Sequence, residues 1–465
     1  MGIHQPFVFS KASRVLCALL TLTLLSLNAG VFAADDNRKP IVVVISLDGF
    51  PAYALDDPRL PTPTLRRLMR EGLSVKSMQP VNPTVTWPNH TTLITGVEPA
   101  QHGVIFNGLL TRPAADVPPV VEMWRDKDLM VHAPTVYDAA HQAGLTTAQV
   151  DWVAIYNAKN IDWKFAEVPD PAGPVEQEMI ADGTVTAEQL KTFDDSSQAW
   201  RDEMWTTAAV RILQEHQPNL LLLHLLTLDD TNHQYGPMSD ASFTAMALLD
   251  AQVRRIVDIL QRPEFADRST LVIVSDHGFK PISHAIHANV LLRDKKLVRG
   301  DGKDTRADAW VIADGGVAMV YVLDRARRVE LTTDLHKSFA DAEGIETVYG
   351  ADDFPKLGLP TPDHSDQAPD LLLAAKDGYA FNSGQETEYI TALPGGTHGY
   401  LNSDPKMRAI FLAWGRGVPA GTRLGDISNL EVAPTIAALL NLKIPNLPRP
   451  PIKAIAEKLQ TATAK

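Results

Sequence analysis

Runs of consecutive apolar residues alternate along the chain with segments whose apolar residues recur at helical spacing. The apolar runs, rich in β-branched residues, predict buried strands at Pro40–Leu47, Asn219–Leu228, Thr270–Ser275, Val317–Leu323, Asp370–Ala375 and Arg408–Trp414. The helical spacing predicts helices at Thr62–Glu71, Trp87–Thr95, Thr135–Ala143, Ala241–Gln261 and Leu430–Leu440. Strands that alternate with helices are typical of an α/β fold, in which helices cover both faces of a mainly parallel central sheet.

One internal stretch departs from this alternation. Between roughly Leu291 and Gln367 the sequence is more polar and irregular, and it contains the turn-like run Arg299–Asp304. We predict that residues 291–367 form an inserted cap subdomain. The core then comprises residues 38–290 and 368–450, and residues 451–465 form a C-terminal tail.

The N-terminus has the pattern of a secretory signal peptide. Lys11 and Arg14 precede the charge-free run Val15–Leu27, and small residues lead up to a cut after Ala33. Because the run is too short to span a bilayer comfortably, we expect an exported protein, periplasmic or secreted, rather than a membrane anchor. The chain's single cysteine, Cys17, lies in this segment. The mature protein therefore has neither a disulfide scaffold nor a cysteine-based zinc module.

Composition narrows the class of partner. The 465 residues include 43 Lys and Arg against 56 Asp and Glu, and 45% are hydrophobic. That hydrophobic fraction is ordinary for a globular protein. The acidic balance argues against a sequence-independent grip on a nucleic-acid polymer, which needs clustered basic residues. We therefore expect no nucleic-acid polymer as a partner.

Acidic residues follow three of the predicted strands. Asp48, Asp229 and Asp276 stand at or just after the strand ends, with His233 and His277 close by in the sequence. Because the carboxyl ends of parallel strands form the ligand crevice of such a sheet, these side chains should meet at one edge. A single aspartate there is often a helix cap, but three with two imidazoles favour a metal centre. Mixed oxygen and nitrogen ligands suit zinc or manganese.

A hydroxyl-bearing segment precedes another predicted helix. Thr84 and Thr86 stand just before Pro88, a residue favoured in the first helical turn. Either threonine could simply cap the helix. Alternatively, a threonine hydroxyl beside a metal ion can attack a phosphorus atom, and the helix N-terminus attracts an anion.

Six motifs in this order resemble the type I phosphodiesterase/nucleotide pyrophosphatase family of the alkaline phosphatase superfamily. They are Ser46–Phe50, Pro83–His90, His102–Asn107, Asp229–Pro237, Ser275–Gly278 and Gly396–Gly399. The resemblance spans nearly all of the mature chain, roughly from Pro40 to Leu440. It implies an alkaline-phosphatase-like core and hydrolysis of phosphate diesters or phosphoanhydrides.

The resemblance also implies two zinc ions and a role for each site residue. Asp229, His233 and His398 would hold one ion, and the other would be held by Asp48, Asp276, His277 and the oxygen of Thr86. Thr86, directly before the aromatic-Pro-Asn-His run, matches the family's nucleophile, so a phospho-threonine intermediate is expected. Asn107 matches the asparagine that stabilises a phosphate oxygen.

Two further residues are candidates for substrate contacts. Trp87 matches the aromatic residue beside the nucleophile and could stack on a base. Where nucleotide-cleaving members usually carry a stacking tyrosine, this chain has His224. That histidine could equally be hydrogen-bonded within a strand. His284 and His287 match no ligand, and we expect them to be structural even if a helix places them on one face.

Related chemistry in the same superfamily remains an alternative. A phosphomonoesterase or a phosphonoacetate-type hydrolase would use similar metals and a similar nucleophile. Monoesters need extra positive groups for their additional charge, and no Lys or Arg lies within the six motifs. This favours diesters.

Overall fold

The strand Ile41–Leu47 lies at the centre of the computed structural model, which describes residues 39–384 and 387–463. All seven of its residues are buried. Because side chains alternate along a strand, successive residues pack into two separate hydrophobic cores, one on each face of the sheet. The strand pairs in parallel with Leu220–Leu225 on one side and with Ser269–Val274 on the other.

These three strands belong to an eight-stranded central sheet. In spatial order its strands are Thr422–Ser428, Leu73–Gln79, Phe411–Gly415, Ser269–Val274, Ile41–Leu47, Leu220–Leu225, Thr147–Val150 and Trp163–Phe165. Phe411–Gly415 runs antiparallel to both of its neighbours, and the other pairings within this sheet are parallel. The prediction of a mainly parallel sheet is confirmed.

Helices cover both faces of this sheet. Residues of Pro63–Glu71, Gln198–His216 and Asp240–Leu260 pack into one core. Residues of Thr86–Thr95 and Val432–Leu439 pack into the other. The further α-helices are Pro99–His102, Lys127–Met130, Val136–Gln142, Pro174–Ala181, Ala187–Lys191, Thr227–Tyr235, Ala288–Asp294, Arg328–Ala340, Phe354–Leu357 and Lys453–Thr463. This arrangement confirms the predicted α/β class, alkaline-phosphatase-like with helices on both faces.

Smaller sheets adjoin the central one. A four-stranded antiparallel sheet, called the second sheet below, has the order Ala309–Asp314, Val317–Val322, Leu371–Ala375 and Ile345–Gly350. A three-stranded sheet has the order Gly378–Phe381, Lys280–Ile286 and Ile390–Thr397. Short antiparallel pairs join Leu109–Thr111 to Val120–Glu122 and Val298–Arg299 to Arg306–Ala307. The second sheet combines strands from the predicted insertion with Leu371–Ala375 beyond it, and the boundary at 291–367 stays a prediction.

Several predicted elements differ from those observed. The strand predicted at Asn219–Leu228 ends at Leu225, because the helix Thr227–Tyr235 begins there. The carboxylate of Asp202 accepts hydrogen bonds from the backbone N–H groups of Leu226 and Thr227, at 3.0 and 2.9 Å. Free N–H groups at a helix start need such acceptors. Asp202 therefore fixes where the helix carrying Asp229 begins.

The helix considered for His284 and His287 does not form. Lys280–Ile286 is a strand in which His284 is exposed, while His287 is buried with Nε2 2.9 Å from the hydroxyl of Thr391. At the other end of the chain, the predicted tail contains the helix Lys453–Thr463. This helix packs against the core that also contains residues of Thr86–Thr95 and Val432–Leu439, and its Ile455 is buried there.

The predicted signal peptide, residues 1–33, lies outside the described residues. Within the part of the chain that the structure describes, no helix has both the length and the apolar character needed to cross a membrane.

Candidate active site

Three aspartates converge at the carboxyl edge of the central sheet. Asp48 and Asp276 follow two neighbouring strands, and Asp229 lies in the first turn of the helix Thr227–Tyr235. Ligand atoms of Asp48, Asp229 and His277 lie within 4.8 Å of one another. The same holds for Asp229, His233 and His398, so the structure brings the predicted ligands together.

Backbone carbonyl groups orient the three histidines in the same way. The Nδ1 atom of each ring donates a hydrogen bond to a carbonyl oxygen: His233 to Gly396 at 3.1 Å, His277 to Gly278 at 3.1 Å, and His398 to Thr84 at 3.0 Å. A neutral imidazole that donates from Nδ1 keeps its lone pair on Nε2. Metal-ligating histidines are commonly oriented in this manner.

The free nitrogens face carboxylate oxygens. Nε2 of His277 lies 3.1 Å from Oδ2 of Asp276, and Nε2 of His233 lies 3.4 Å from Oδ2 of Asp229. Burial lowers the pKa of His277 to about 3, which keeps this ring neutral. Burial also lowers the pKa of His398, and the neighbouring histidines add to the effect. Neutral rings of this kind are suited to coordinate a cation.

The carboxylates repel one another in a site largely withdrawn from water. Burial, and then the charges of Asp276 and Asp229, raise the pKa of Asp48 well above its ordinary value. Burial also raises the pKa of Asp229 to about 6. Among the described residues, Oδ1 of Asp48, Oδ1 of Asp229 and Oδ2 of Asp276 have no hydrogen-bond partner. An unpaired buried charge is costly, so these oxygens are suited to bind cations. Zinc is a cation that accepts such a mixture of oxygen and nitrogen ligands.

The structure distinguishes the two threonines of the nucleophile segment. Thr86 is the first residue of the helix Thr86–Thr95, and its hydroxyl oxygen lies 3.5 Å from Nε2 of His277. Thr84 instead donates its hydroxyl hydrogen to the carbonyl oxygen of Tyr400 at 2.7 Å. The Thr84 hydroxyl is thus engaged in the fold, and that of Thr86 lies at the carboxylate cluster.

Two asparagines arrange the surroundings of Thr86. Oδ1 of Asn107 accepts the backbone N–H of Trp87 at 2.9 Å, which leaves its Nδ2 without a partner among the described residues. Asn89 accepts from the backbone N–H of Val81 at 2.8 Å and donates to the carbonyl oxygens of Pro83 and Val85 at 3.0 and 2.9 Å. Sequence reasoning missed this role of Asn89, although its place in the Pro-Asn-His run was a signal.

The two residues predicted to contact substrate, His224 and Trp87, are both buried in the fold. His224 is fully buried, and its Nε2 donates to Oδ2 of Asp48 at 2.9 Å. It therefore lies behind a predicted ligand, within the fold. Trp87 is 4% exposed and packs with Val104 and Val153, although it also lines a small cavity together with Trp124.

A larger cavity lies on the side of Asn107. Its volume is about 340 Å³, and Asn107, Val120, Trp310 and Asp314 are among its lining residues. Oδ2 of Asp314 is buried without a hydrogen-bond partner among the described residues. None of the residues lining this cavity in the described chain is Lys or Arg. The cavity thus lies between an edge strand of the second sheet, Ala309–Asp314, and the segment that carries Asn107.

The sequence was compared with protein families and with known proteins. The family model of type I phosphodiesterase / nucleotide pyrophosphatase matches residues 42–401. Human ectonucleotide pyrophosphatase/phosphodiesterase family member 7 is 23% identical over 437 residues, which cover 93% of this chain and 86% of that protein. An uncharacterised pyrophosphatase/phosphodiesterase of Schizosaccharomyces pombe is 26% identical over 417 residues, covering 86% and 77% of the two chains.

A solved structure shares the fold. It is an inactive form of murine ectonucleotide pyrophosphatase/phosphodiesterase 5 in complex with AMP. The TM-score is 0.69 at 20% identity, and the match covers 90% of this chain and 99% of that one.

We predict that Gly49→Ala disrupts the site. Gly49 has a φ of +66°, and a Cβ atom there would lie 2.9 Å from the ring of Phe279 and 3.2 Å from Oδ1 of Asp229. The left-handed conformation alone should cost about 1–2 kcal/mol of unfolding free energy with alanine. Thermal or urea unfolding measures the loss. Gly350→Ala, where nothing lies within 4 Å, is the matched control. Equal stability of the two variants would contradict the prediction.

Proposed function

The chain belongs to the type I phosphodiesterase/nucleotide pyrophosphatase family, and we propose that it hydrolyses phosphate diesters or phosphoanhydrides by way of a covalent phospho-threonine on Thr86. One observation carries this proposal. Thr86 is the first residue of a helix, and its hydroxyl lies 3.5 Å from Nε2 of His277, beside three aspartates that each keep one buried oxygen without a hydrogen-bond partner among the described residues. Such a site suits a nucleophile that attacks an anionic phosphate between two cations.

We propose that two zinc ions occupy this cluster. Asp229, His233 and His398 would hold one, and Asp48, Asp276, His277 and the Thr86 oxygen would hold the other. Ligand atoms of Asp229, His233 and His398 lie within 4.8 Å of one another, which supports the first ion. For the second, Oδ1 of Asp48 and Oδ2 of Asp276 lie 3.4 and 3.1 Å from Nε2 of His277, and neither oxygen has a hydrogen-bond partner among the described residues. When bound, the ions supply Lewis acidity that lowers the pKa of the attacking hydroxyl and offsets negative charge on the phosphate.

The chain's own residues then perform two displacements. The oxygen of Thr86 loses its hydroxyl proton to solvent and forms a bond to phosphorus as the bond to the leaving-group oxygen breaks, and the leaving group departs and takes up a proton from water. A water molecule later displaces the Thr86 oxygen and restores the free hydroxyl. In both steps Nδ2 of Asn107 donates to a non-bridging oxygen, where negative charge builds up as phosphorus becomes five-coordinate. The bond from Trp87 N–H to Oδ1 of Asn107 holds the amide in the orientation needed for this.

We propose small nucleotides and related diesters as the substrate class. A structural neighbour is complexed with AMP, and relatives are named as nucleotide pyrophosphatases. The cavity beside Asn107 can accept one substituent of a diester, and its lining contains a carboxyl group and no basic residue within the described chain. A monoester would bring a second negative charge without a cationic side chain to receive it there. This supports diesters over monoesters.

The first test concerns the nucleophile. Thr86→Ala should abolish hydrolysis of bis(p-nitrophenyl) phosphate while bound zinc persists, because it removes the attacking oxygen and leaves six other ligands. Thr84→Val is the matched control: it removes the bond to Tyr400, at about 1 kcal/mol of stability, and should keep turnover. Release of p-nitrophenol and elemental analysis are the measurements. Surviving activity of Thr86→Ala would place the nucleophile elsewhere, and a wild-type protein that leaves both diesters and monoesters intact would contradict the enzyme proposal.

The second test removes the metal. Dialysis against a chelator should abolish activity and lower the melting temperature, because the repulsion among Asp48, Asp229 and Asp276 is then uncompensated. Added zinc should restore both. Full activity in protein shown by elemental analysis to hold no metal would contradict the zinc proposal.

We also propose that the protein is exported and cleaved near Ala33. The basic residues, the short apolar run and the small residues before Ala34 support this, as do relatives named ecto-enzymes. Expressed as the full chain in a bacterial host, it should appear outside the cytoplasm with Ala34 as its N-terminus by Edman sequencing. Ala33→Leu should block processing, because a bulky side chain does not fit the cleavage position. Recovery of uncut protein in the membrane fraction would contradict this proposal.

A further inference from the structure

His224 bridges two aspartates beneath the carboxylate cluster. Its Nε2 donates to Oδ2 of Asp48 at 2.9 Å. Its Nδ1 donates to the backbone carbonyl oxygen of Asp151 at 3.1 Å and lies 3.2 Å from that residue's Oδ2. A carbonyl oxygen only accepts hydrogen bonds, so Nδ1 carries a hydrogen, and Nε2 donates to Asp48 when that residue is the ionised carboxylate that a metal ligand must be. All three side chains are withdrawn from water, with at most 1% exposure.

Sheet register brings these three residues together. Thr147–Val150, Leu220–Leu225 and Ile41–Leu47 are adjacent parallel strands. Val150 pairs with Leu223 and Ser46 with His224, so Asp151 and Asp48 lie just past the strand ends on either side of the histidine. The contact therefore follows from the order of strands in the sheet.

Two further features hold the imidazole in place. Asp151 adopts a φ of +56°, uncommon for a residue with a side chain, and apart from the 3.2 Å approach of Oδ2 to Nδ1 of His224 its carboxylate has no hydrogen-bond partner among the described residues. The ring of His90 packs edge-on against that of His224, with the centroids 4.3 Å apart. The imidazole is thus confined by a carboxylate on one side, a ring on another and Asp48 in front.

We propose that His224, held by Asp151, positions Asp48 as a metal ligand; this inference rests on the proposed two-zinc function. Oδ2 of Asp48 is taken up by His224, so Oδ1 is the oxygen that faces the cluster, 3.4 Å from Nε2 of His277. His224 is a positioning residue, since it touches a ligand and not the substrate. The position that usually stacks on a base in nucleotide-cleaving members serves the metal centre in this chain.

A positioning role for His224 and a simple packing role predict different effects of mutation on metal affinity. Hydrogen bonds to a ligating carboxylate fix its orientation, and losing such a partner typically weakens metal affinity about 10–100-fold. Only the ion held by Asp48 should be affected, because His224 makes no hydrogen bond to Asp229, His233 or His398 within the described chain. A packing role would instead lower stability without favouring one ion.

The test is zinc binding by the whole protein. Equilibrium dialysis against buffered free zinc, read by elemental analysis, should show two ions in the wild type. In His224→Phe one ion should bind about 10–100-fold more weakly and the other unchanged. His224→Gln keeps one donor for Asp48 but cannot also reach Asp151, so its loss should be smaller. His287→Phe removes another buried imidazole, one that bonds to the hydroxyl of Thr391 and not to a proposed ligand, and should bind both ions normally.

The outcomes separate this inference from the proposed function. Two ions with wild-type affinity in His224→Phe, or equal weakening of both ions, would overturn the positioning role and leave the function intact. A wild type that binds no zinc would overturn the metal proposal itself, and the positioning role with it. If His224→Phe does not fold, His224→Gln carries the same test. The visible spectrum of the cobalt-substituted protein gives a second readout, in which only the signal of the Asp48 ion should change.

Discussion

The structure depends on the crowding of three aspartates, two of them buried and one partly buried, at one edge of the central sheet. Asp48 and Asp276 are 1% exposed, and each of the three aspartates keeps an oxygen without a hydrogen-bond partner among the described residues. Three such charges would repel one another strongly in a site poor in water. The free Nε2 atoms that face them complete a set of groups suited to cations. Hydrogen bonds from the surrounding fold hold these carboxylates and imidazoles in place.

That support comes largely from the backbone. Carbonyl oxygens of Gly396, Gly278 and Thr84 set the tautomers of the ligand histidines. The carboxylate of Asp202 fixes the start of the helix that carries Asp229. Because backbone groups move less than side chains, the ligand atoms can be held near one geometry before any ion binds.

The second sheet is tied to the same site. The backbone N–H of Gly316, in the turn between two of its strands, donates to the carbonyl oxygen of His398 at 2.8 Å. Gly399 N–H in turn donates to the carbonyl oxygen of Thr84 at 3.0 Å, within the nucleophile segment. Asp314, just before that turn, lines the cavity beside Asn107. The part of the chain with the least regular sequence thus contributes to both the loop that carries His398 and the cavity beside Asn107.

Four of the eight central strands, helices on both faces and the aspartates at the strand ends could be predicted from the sequence, because apolar alternation and residue type are local properties. Motifs also predict site roles for Thr86 and for His233, His277 and His398. Only the tertiary structure decided that Thr84 bonds to Tyr400 and that His224 bonds to Asp48. Those contacts join residues 316 and 176 positions apart, and they depend on strand register and loop path. A pattern read along one segment holds no information about which distant carbonyl or carboxylate will face it.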